Sequence, residues 1–129
     1  MSPQWSPEQL ASVDTTDELV IAVENADGSR RRAVPIWVVR VGSEVYVRTW
    51  HHRTTGWFGH AVQSHLARVR IADIEADVTI DEIGGEPADL RQDIDSAYRT
   101  KYARYGGTTT DRMVSDSAVS TTLQLRPRA

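Results

Sequence analysis

At 129 residues, with 40% hydrophobic and 26% charged side chains, the chain is long enough to bury one core without metal or disulfide support. It has no cysteine, which excludes disulfides, thiol nucleophiles and thiolate metal sites. A net charge of -3 gives no electrostatic reason to expect nucleic acid or an anionic membrane as partner. The start, MSPQWSPEQL, lacks the basic and apolar regions of a signal peptide, and no apolar run is long enough to span a bilayer. A single cytosolic domain over residues 1–129 is the expectation.

Residues 1–17 read as a helical lead-in. Ser6 is the cap, Pro7 sits at the first helical position and Gln9 can complete a capping box. Thr15, Thr16 and Asp17 break that helix before a first strand at 18–24, which ends in the turn residues Asn25 to Gly28. Arg30, Arg31 and Arg32 are three like charges in a row and read as an exposed edge. A second strand covers 33–41, with Pro35 tolerated near its start. Gly42-Ser43 turns it into a third strand at 45–50, forming a hairpin. A short helix follows at about 57–64. Strands at 65–71 and 76–83 are joined through Ala72-Asp73, and their alternation suits a sheet with one buried face. Gly84-Gly85 breaks the pattern, and Pro87 opens the longest helix, within 86–106. Along it Leu90, Ile94, Ala97, Tyr98, Lys101, Tyr102 and Tyr105 fall at helical spacing, and Gly106-Gly107 ends it. Residues 108–117 read as irregular, and 118–125 as the closing strand. Six strands with short connections imply antiparallel pairing, in a small barrel with flanking helices that leaves no exposed edge.

The chemistry concentrates in 44–59, EVYVRTWHHRTTGWFG. Val45, Val47 and Thr49 face one side of the strand, and Tyr46, Arg48 and Trp50 the other. Arg48 and Arg53 carry guanidinium forks that match phosphate oxygens, and the backbone N–H groups at 55–57 open a helix, which adds to an anion site. Trp50 and Trp57 can wall a planar ring. His51 and His52 are the acid–base candidates, because imidazole titrates near neutrality without perturbation. The alternative is that the arginines pair with carboxylates and the histidines lie in solvent. His51, His52, His60 and His65 lack the paired helical spacing of zinc enzymes, so no metal site is expected. Tyr98 and Tyr102 could bond a ligand carbonyl, and a lysine held among rings, Lys101, could have a lowered pKa. Packing of that tyrosine face on the barrel explains the same pattern. Trp37 and Trp57 read first as core or dimer contacts and second as pocket walls, and Asp93 and Asp95 as solvated. No Gly-x-Ser-x-Gly, glycine-rich phosphate loop or Gly-x-Gly-x-x-Gly is present, so hydrolase, nucleotide-triphosphatase and Rossmann readings lack support.

The segments PIWVVRVGSEVYVRTW…GWFGHA, ADVTI, IDSAYRTKYARY and TTLQLRP occur in that order. Together they resemble a family of small bacterial proteins grouped with the split-barrel flavin-binding proteins. Better-known members of that group are pyridoxamine-phosphate oxidases and deazaflavin-dependent nitroreductases. The resemblance implies a six-stranded antiparallel split β-barrel, commonly a homodimer, with FMN or a deazaflavin in a groove near the subunit interface. It maps cofactor contacts onto Arg48, Thr49 and Trp50 on the strand, and onto Arg53, Thr54, Thr55 and Gly56 in the turn. One departure is that the nitroreductase relatives carry a small glycine- and lysine-bearing turn where this chain has Trp50-His51-His52-Arg53, so the bulky side chains either stack on a flavin or block it. Two further readings stay open. One is a cofactor-independent isomerase or cyclase of small-molecule biosynthesis, using His51 or His52 with Tyr98 or Tyr102. The other is a non-catalytic ligand carrier or sensor.

Overall fold

The computed structural model describes residues 4–49, 56–85 and 87–128. Helix α1 runs Pro7–Thr15 and starts as its sequence dictates. The Ser6 hydroxyl accepts from the Gln9 N–H at 3.1 Å, and the Gln9 side chain accepts from the Ser6 N–H at 2.8 Å. Leu10 and Val13 form its buried face, against β2 (Val34–Val41).

Strands β1 (Glu18–Val23), β2, β3 (Glu44–Val47), β6 (Leu123–Pro127), β5 (Ile74–Glu82) and β4 (Leu66–Ile71) close into a barrel in that spatial order, every pair antiparallel. Closure pairs β1 with both β2 and β4, so the strands have no free edge. The last strand in sequence slots between β3 and β5, with Val45 opposite Leu125 and Ile80 opposite the same residue. Alternate residues fill the interior: Leu19, Ile21 and Val23 of β1, Val45 and Val47 of β3, Val69 and Ile71 of β4, Leu123 and Leu125 of β6. Trp5 seals one end, donating its indole N–H to the Leu125 carbonyl at 2.9 Å.

A second apolar cluster lies outside the barrel wall. Val39 of β2 and Tyr46 of β3 point away from the interior and meet Ile94, Tyr98 and Tyr102, with Met113 beneath. Ile94 and Tyr98 belong to α3 (Ala88–Lys101), which packs on β2. The Glu44–Val47 strand therefore divides its side chains as the period of two requires. Valines go in, and Tyr46 goes out under the helix.

Several boundaries differ from expectation. The long helix stops at Lys101 and gives way to a 3-10 turn over Ala103–Tyr105. Residues 108–117, read as irregular, are helical over most of their length: α4 spans Gly107–Met113 and α5 spans Asp116–Val119. Three consecutive threonines have weak helix propensity, but burying Thr110 and Met113 beside α3 overrides it. The Ser115 hydroxyl caps α5 by accepting from the Ala118 N–H. The closing strand consequently begins at Leu123, not 118, because Ala118 and Val119 are buried on α5. Asp93 is exposed as expected, whereas Asp95 is not solvated: its carboxylate binds Arg48 at 2.6 Å. Among the described residues no helix is long and apolar enough to cross a membrane.

The two buried tyrosines differ in what their hydroxyls do. The Tyr102 hydroxyl accepts from the Val38 N–H at 2.9 Å and lies 2.6 Å from the Asp17 carbonyl and 2.9 Å from the Val38 carbonyl, either of which can take its proton. The Tyr98 hydroxyl is buried near the Arg48 backbone, with no partner at good hydrogen-bond geometry among the described residues. Tyr102→Phe leaves a buried backbone N–H unsatisfied and should cost about 1–3 kcal/mol in urea unfolding. Tyr98→Phe should stay within about 1 kcal/mol of the parent, since it removes only an unpaired group. An equal or larger loss for Tyr98→Phe would contradict this assignment.

Candidate functional site

The third strand, expected over 45–50, ends at Val47, and the chain runs on through Arg48 and Thr49, both buried. Thr49 is held through its backbone: its N–H donates to the Thr121 hydroxyl at 3.0 Å, and that hydroxyl lies 2.9 Å from the Thr49 carbonyl and 2.6 Å from the Ala118 carbonyl, either of which can take its proton. Beside these two residues opens a cavity of about 270 Å³. Its walls are Val34 to Trp37 of β2, Trp57 of α2 (Gly56–Ser64), and Thr109 and Met113 of α4, with Glu18 at the rim. Helices and barrel thus contribute aromatic, thioether and hydroxyl groups around one polar end.

Arg48 defines that end. Its side chain leaves the chain on the same side as Tyr46 and is enclosed by α3 and α4. Nε donates to the Thr122 hydroxyl at 2.8 Å, and Nη1 donates to Asp95 Oδ1 at 2.6 Å and to the Met113 carbonyl at 3.0 Å. The guanidinium also lies 5.4 Å from the Tyr98 ring centre. Its side chain is 0% exposed, against 24% for Asp95, so the charge is balanced inside the protein. Asp95 is in turn held by Arg91, one helical turn back, which reaches Asp116. One nitrogen is left over: Nη2 is buried with no hydrogen-bond partner among the described residues.

Trp57 is half-buried against the barrel core and meets Phe58 edge-on, with ring centres 5.9 Å apart. Gly56 takes φ +64 as it opens α2, a backbone conformation that other residues adopt only with strain. The first turn of α2 carries no acidic residue, so nothing there opposes an anion near its N-terminal end. Trp50, His51, His52, Arg53, Thr54 and Thr55 lie outside the described residues.

Of the sequence candidates, Arg48, Thr49 and Trp57 come together at the cavity, with Gly56 next to Trp57. Tyr98 and Tyr102 lie within the outer cluster and are 0% exposed. Burial pushes both phenols well above the ordinary tyrosine value, so neither ionises near neutrality. Trp37, whose second reading in the sequence is a pocket wall, is both a packing residue and a wall. It stacks on Tyr102 with ring centres 3.9 Å apart and planes 3° from parallel, while also lining the cavity. Met113 and Thr109 were missed because the segment carrying them read as irregular. Asp95 had one legible signal, its place next to Ile94 and three residues before Tyr98, beside the buried face of α3, but pairing with an arginine 47 positions earlier is a tertiary fact.

The model of a family described as "Uncharacterized protein conserved in bacteria (DUF2255)" matches residues 9–125. No curated protein matches the chain by sequence. Solved structures of similar shape include HutZ, the heme storage protein from Vibrio cholerae, at 12% identity and TM-score 0.61, covering 98% of this chain and 92% of that one. An F420 reductase is similar at 15% identity and TM-score 0.56, covering 92% of each chain. A FAD-binding protein from Mesorhizobium loti is similar at 11% identity and TM-score 0.51, covering 98% of this chain and 91% of that one. At such identities the likeness is one of fold, the split barrel of the pyridoxamine-phosphate-oxidase-like proteins. The family match spans nearly the whole chain, and the protein belongs to the bacterial DUF2255 family.

Proposed function

We propose that the cavity beside Arg48 takes the flat ring of FMN or a deazaflavin, and that the protein is an oxidoreductase acting on a small organic molecule. The observation that carries this reading is the meeting of Trp37, Trp57, Met113, Thr49 and Arg48 at one cavity where β3 leaves the barrel. A volume of about 270 Å³ suits a ring system with its tail outside, being near the lower limit of small-molecule sites, roughly 300 Å³. The similar structures include proteins named for heme, FAD and F420, which supports a planar redox group as the class of guest.

Residue roles follow from chemistry. Trp37 and Trp57 offer apolar faces to the ring, and Met113 adds a polarisable contact. Arg48 is fully buried with its charge balanced by Asp95, so we assign it the task of positioning Thr49 and the helix walls at the polar end of the cavity. The phosphate then falls to Arg53, Thr54 and Thr55 with the start of α2 at Gly56. His51 or His52 would move a proton to or from the substrate. A bound flavin or deazaflavin supplies the hydride chemistry, and the protein contributes orientation and exclusion of water. Tyr98 and Tyr102 support the wall from behind: Tyr102 stacks on Trp37, and its hydroxyl is engaged with backbone. A second copy of the chain would complete the open side of the groove.

Titration of the purified protein with FMN and with F420, read by tryptophan fluorescence, tests the reading. Saturable binding of one of them is expected, weakened about two- to ten-fold by Trp57→Ala through lost ring contact. A folded protein that binds neither contradicts it. The internal balance of Arg48 has its own test in thermal or urea unfolding. Asp95→Ala strands a fully buried guanidinium and should cost about 3–5 kcal/mol. Arg48→Met leaves Asp95 with Arg91 and partial solvent, and should cost less. The reverse order would show that Arg48 is not held by this pair.

A further inference from the structure

Lys101 is the one lysine among 15 lysine and arginine residues. It ends α3 on the side away from the Trp37–Trp57 groove, and lines an open cavity of about 380 Å³ with Thr15, Val39, Ala97 and Thr100. Nζ donates to the Val13 carbonyl at 2.5 Å and to the Val38 carbonyl at 2.6 Å, and sits 5.1 Å from the Tyr102 ring centre. The acidic groups nearest to it are Asp14 on α1 and Asp17 before β1. Asp14 is taken by Arg40 of β2, and Asp17 by Arg104 and the Tyr105 hydroxyl. Among the described residues both carboxylates facing the amine are already matched by a guanidinium, and carbonyl dipoles and a ring face hold it.

We propose that Lys101 is a nucleophilic amine that captures small polar aldehydes in this cavity as an imine, at a site separate from the groove. A neutral amine has two N–H groups and one lone pair. The Val13 and Val38 carbonyls can take the two N–H groups, which leaves the lone pair for a carbonyl carbon that enters the cavity Lys101 lines. Burial pushes the amine down to about 8, against the pull of Asp14 and Asp17, with Arg104 reinforcing the fall. A usable fraction is then neutral at physiological pH, which no arginine could supply.

The step is balanced without an oxidant. The nitrogen pair adds to the aldehyde carbon and the carbonyl oxygen takes a proton, giving a carbinolamine. That hydroxyl leaves as water, the second N–H proton is released and the C=N bond forms. Aldehyde and amine become imine and water. A protonated imine keeps one N–H for a backbone carbonyl, and Asp14 and Asp17 favour its charge. Threonine hydroxyls and closed ion pairs line the walls, so a short uncharged hydroxyaldehyde fits better than an apolar or anionic one.

The test uses the full chain, glycolaldehyde and sodium cyanoborohydride, with peptide mapping by mass spectrometry. At pH 7.5 Lys101 should be labelled at least about ten-fold faster than Nα-acetyl-lysine in the same tube, since an ordinary lysine amine titrates near 10.4. Labelling should climb toward a plateau with a midpoint near pH 8. Lys101→Arg, checked for an unchanged unfolding transition, should retain only the N-terminal adduct. Labelling no faster than the free amine, or confined to the N-terminal amine, or dependent on unfolding, overturns the proposal.

Discussion

The contact between Arg48 and Asp95 is the constraint on which the rest of the architecture leans. A guanidinium cannot lose its proton, so burying it completely demands a charge and several acceptors within reach. Asp95 comes from α3, Met113 from α4 and Thr122 from the approach to β6, and all converge on one side chain just past β3. The helices are thereby placed against the outside of the barrel in one register. Apolar packing alone would tolerate some sliding. A fork with fixed acceptors does not, which is the specificity sometimes retained by buried ion pairs.

From that anchor the groove follows. Fixing Arg48 fixes Thr49, which Thr121 holds on both sides of its peptide unit, and so fixes where the chain departs from the barrel. Tyr102 presses flat on Trp37 from behind and sets the angle of the opposite wall. Tyr98 fills the space between Arg48 and Tyr102, with ring centres of the two tyrosines 6.0 Å apart. The helix that reads as a row of candidate acids and bases acts as a scaffold, and the polar group it contributes to the site is an aspartate acting through an arginine.

Much of this was legible in the residues. Alternating valines and isoleucines gave the barrel, and the Ser6–Gln9 box gave the first helix start, because both patterns are local. The meeting of Arg48, Thr49 and Trp57 at one place was also foreseeable, since they lie close together in sequence. What local patterns missed came from tertiary contact. Thr108, Thr109 and Thr110 look like loop residues until Thr110 and Met113 are buried beside α3. Asp95 looks like a surface carboxylate until an arginine 47 positions earlier reaches it. Trp37 reads first as packing and second as a wall, and it is both.

The account stands on a flat redox-active guest seated between Trp37 and Trp57 with Arg48 at its polar end. Native mass spectrometry of the protein, produced in cells that make both FMN and F420, examines that claim most directly. The account predicts a folded chain carrying one equivalent of one of the two masses, lost when the groove tryptophans are replaced. Bare chain throughout, from cells shown to contain both compounds, would contradict it.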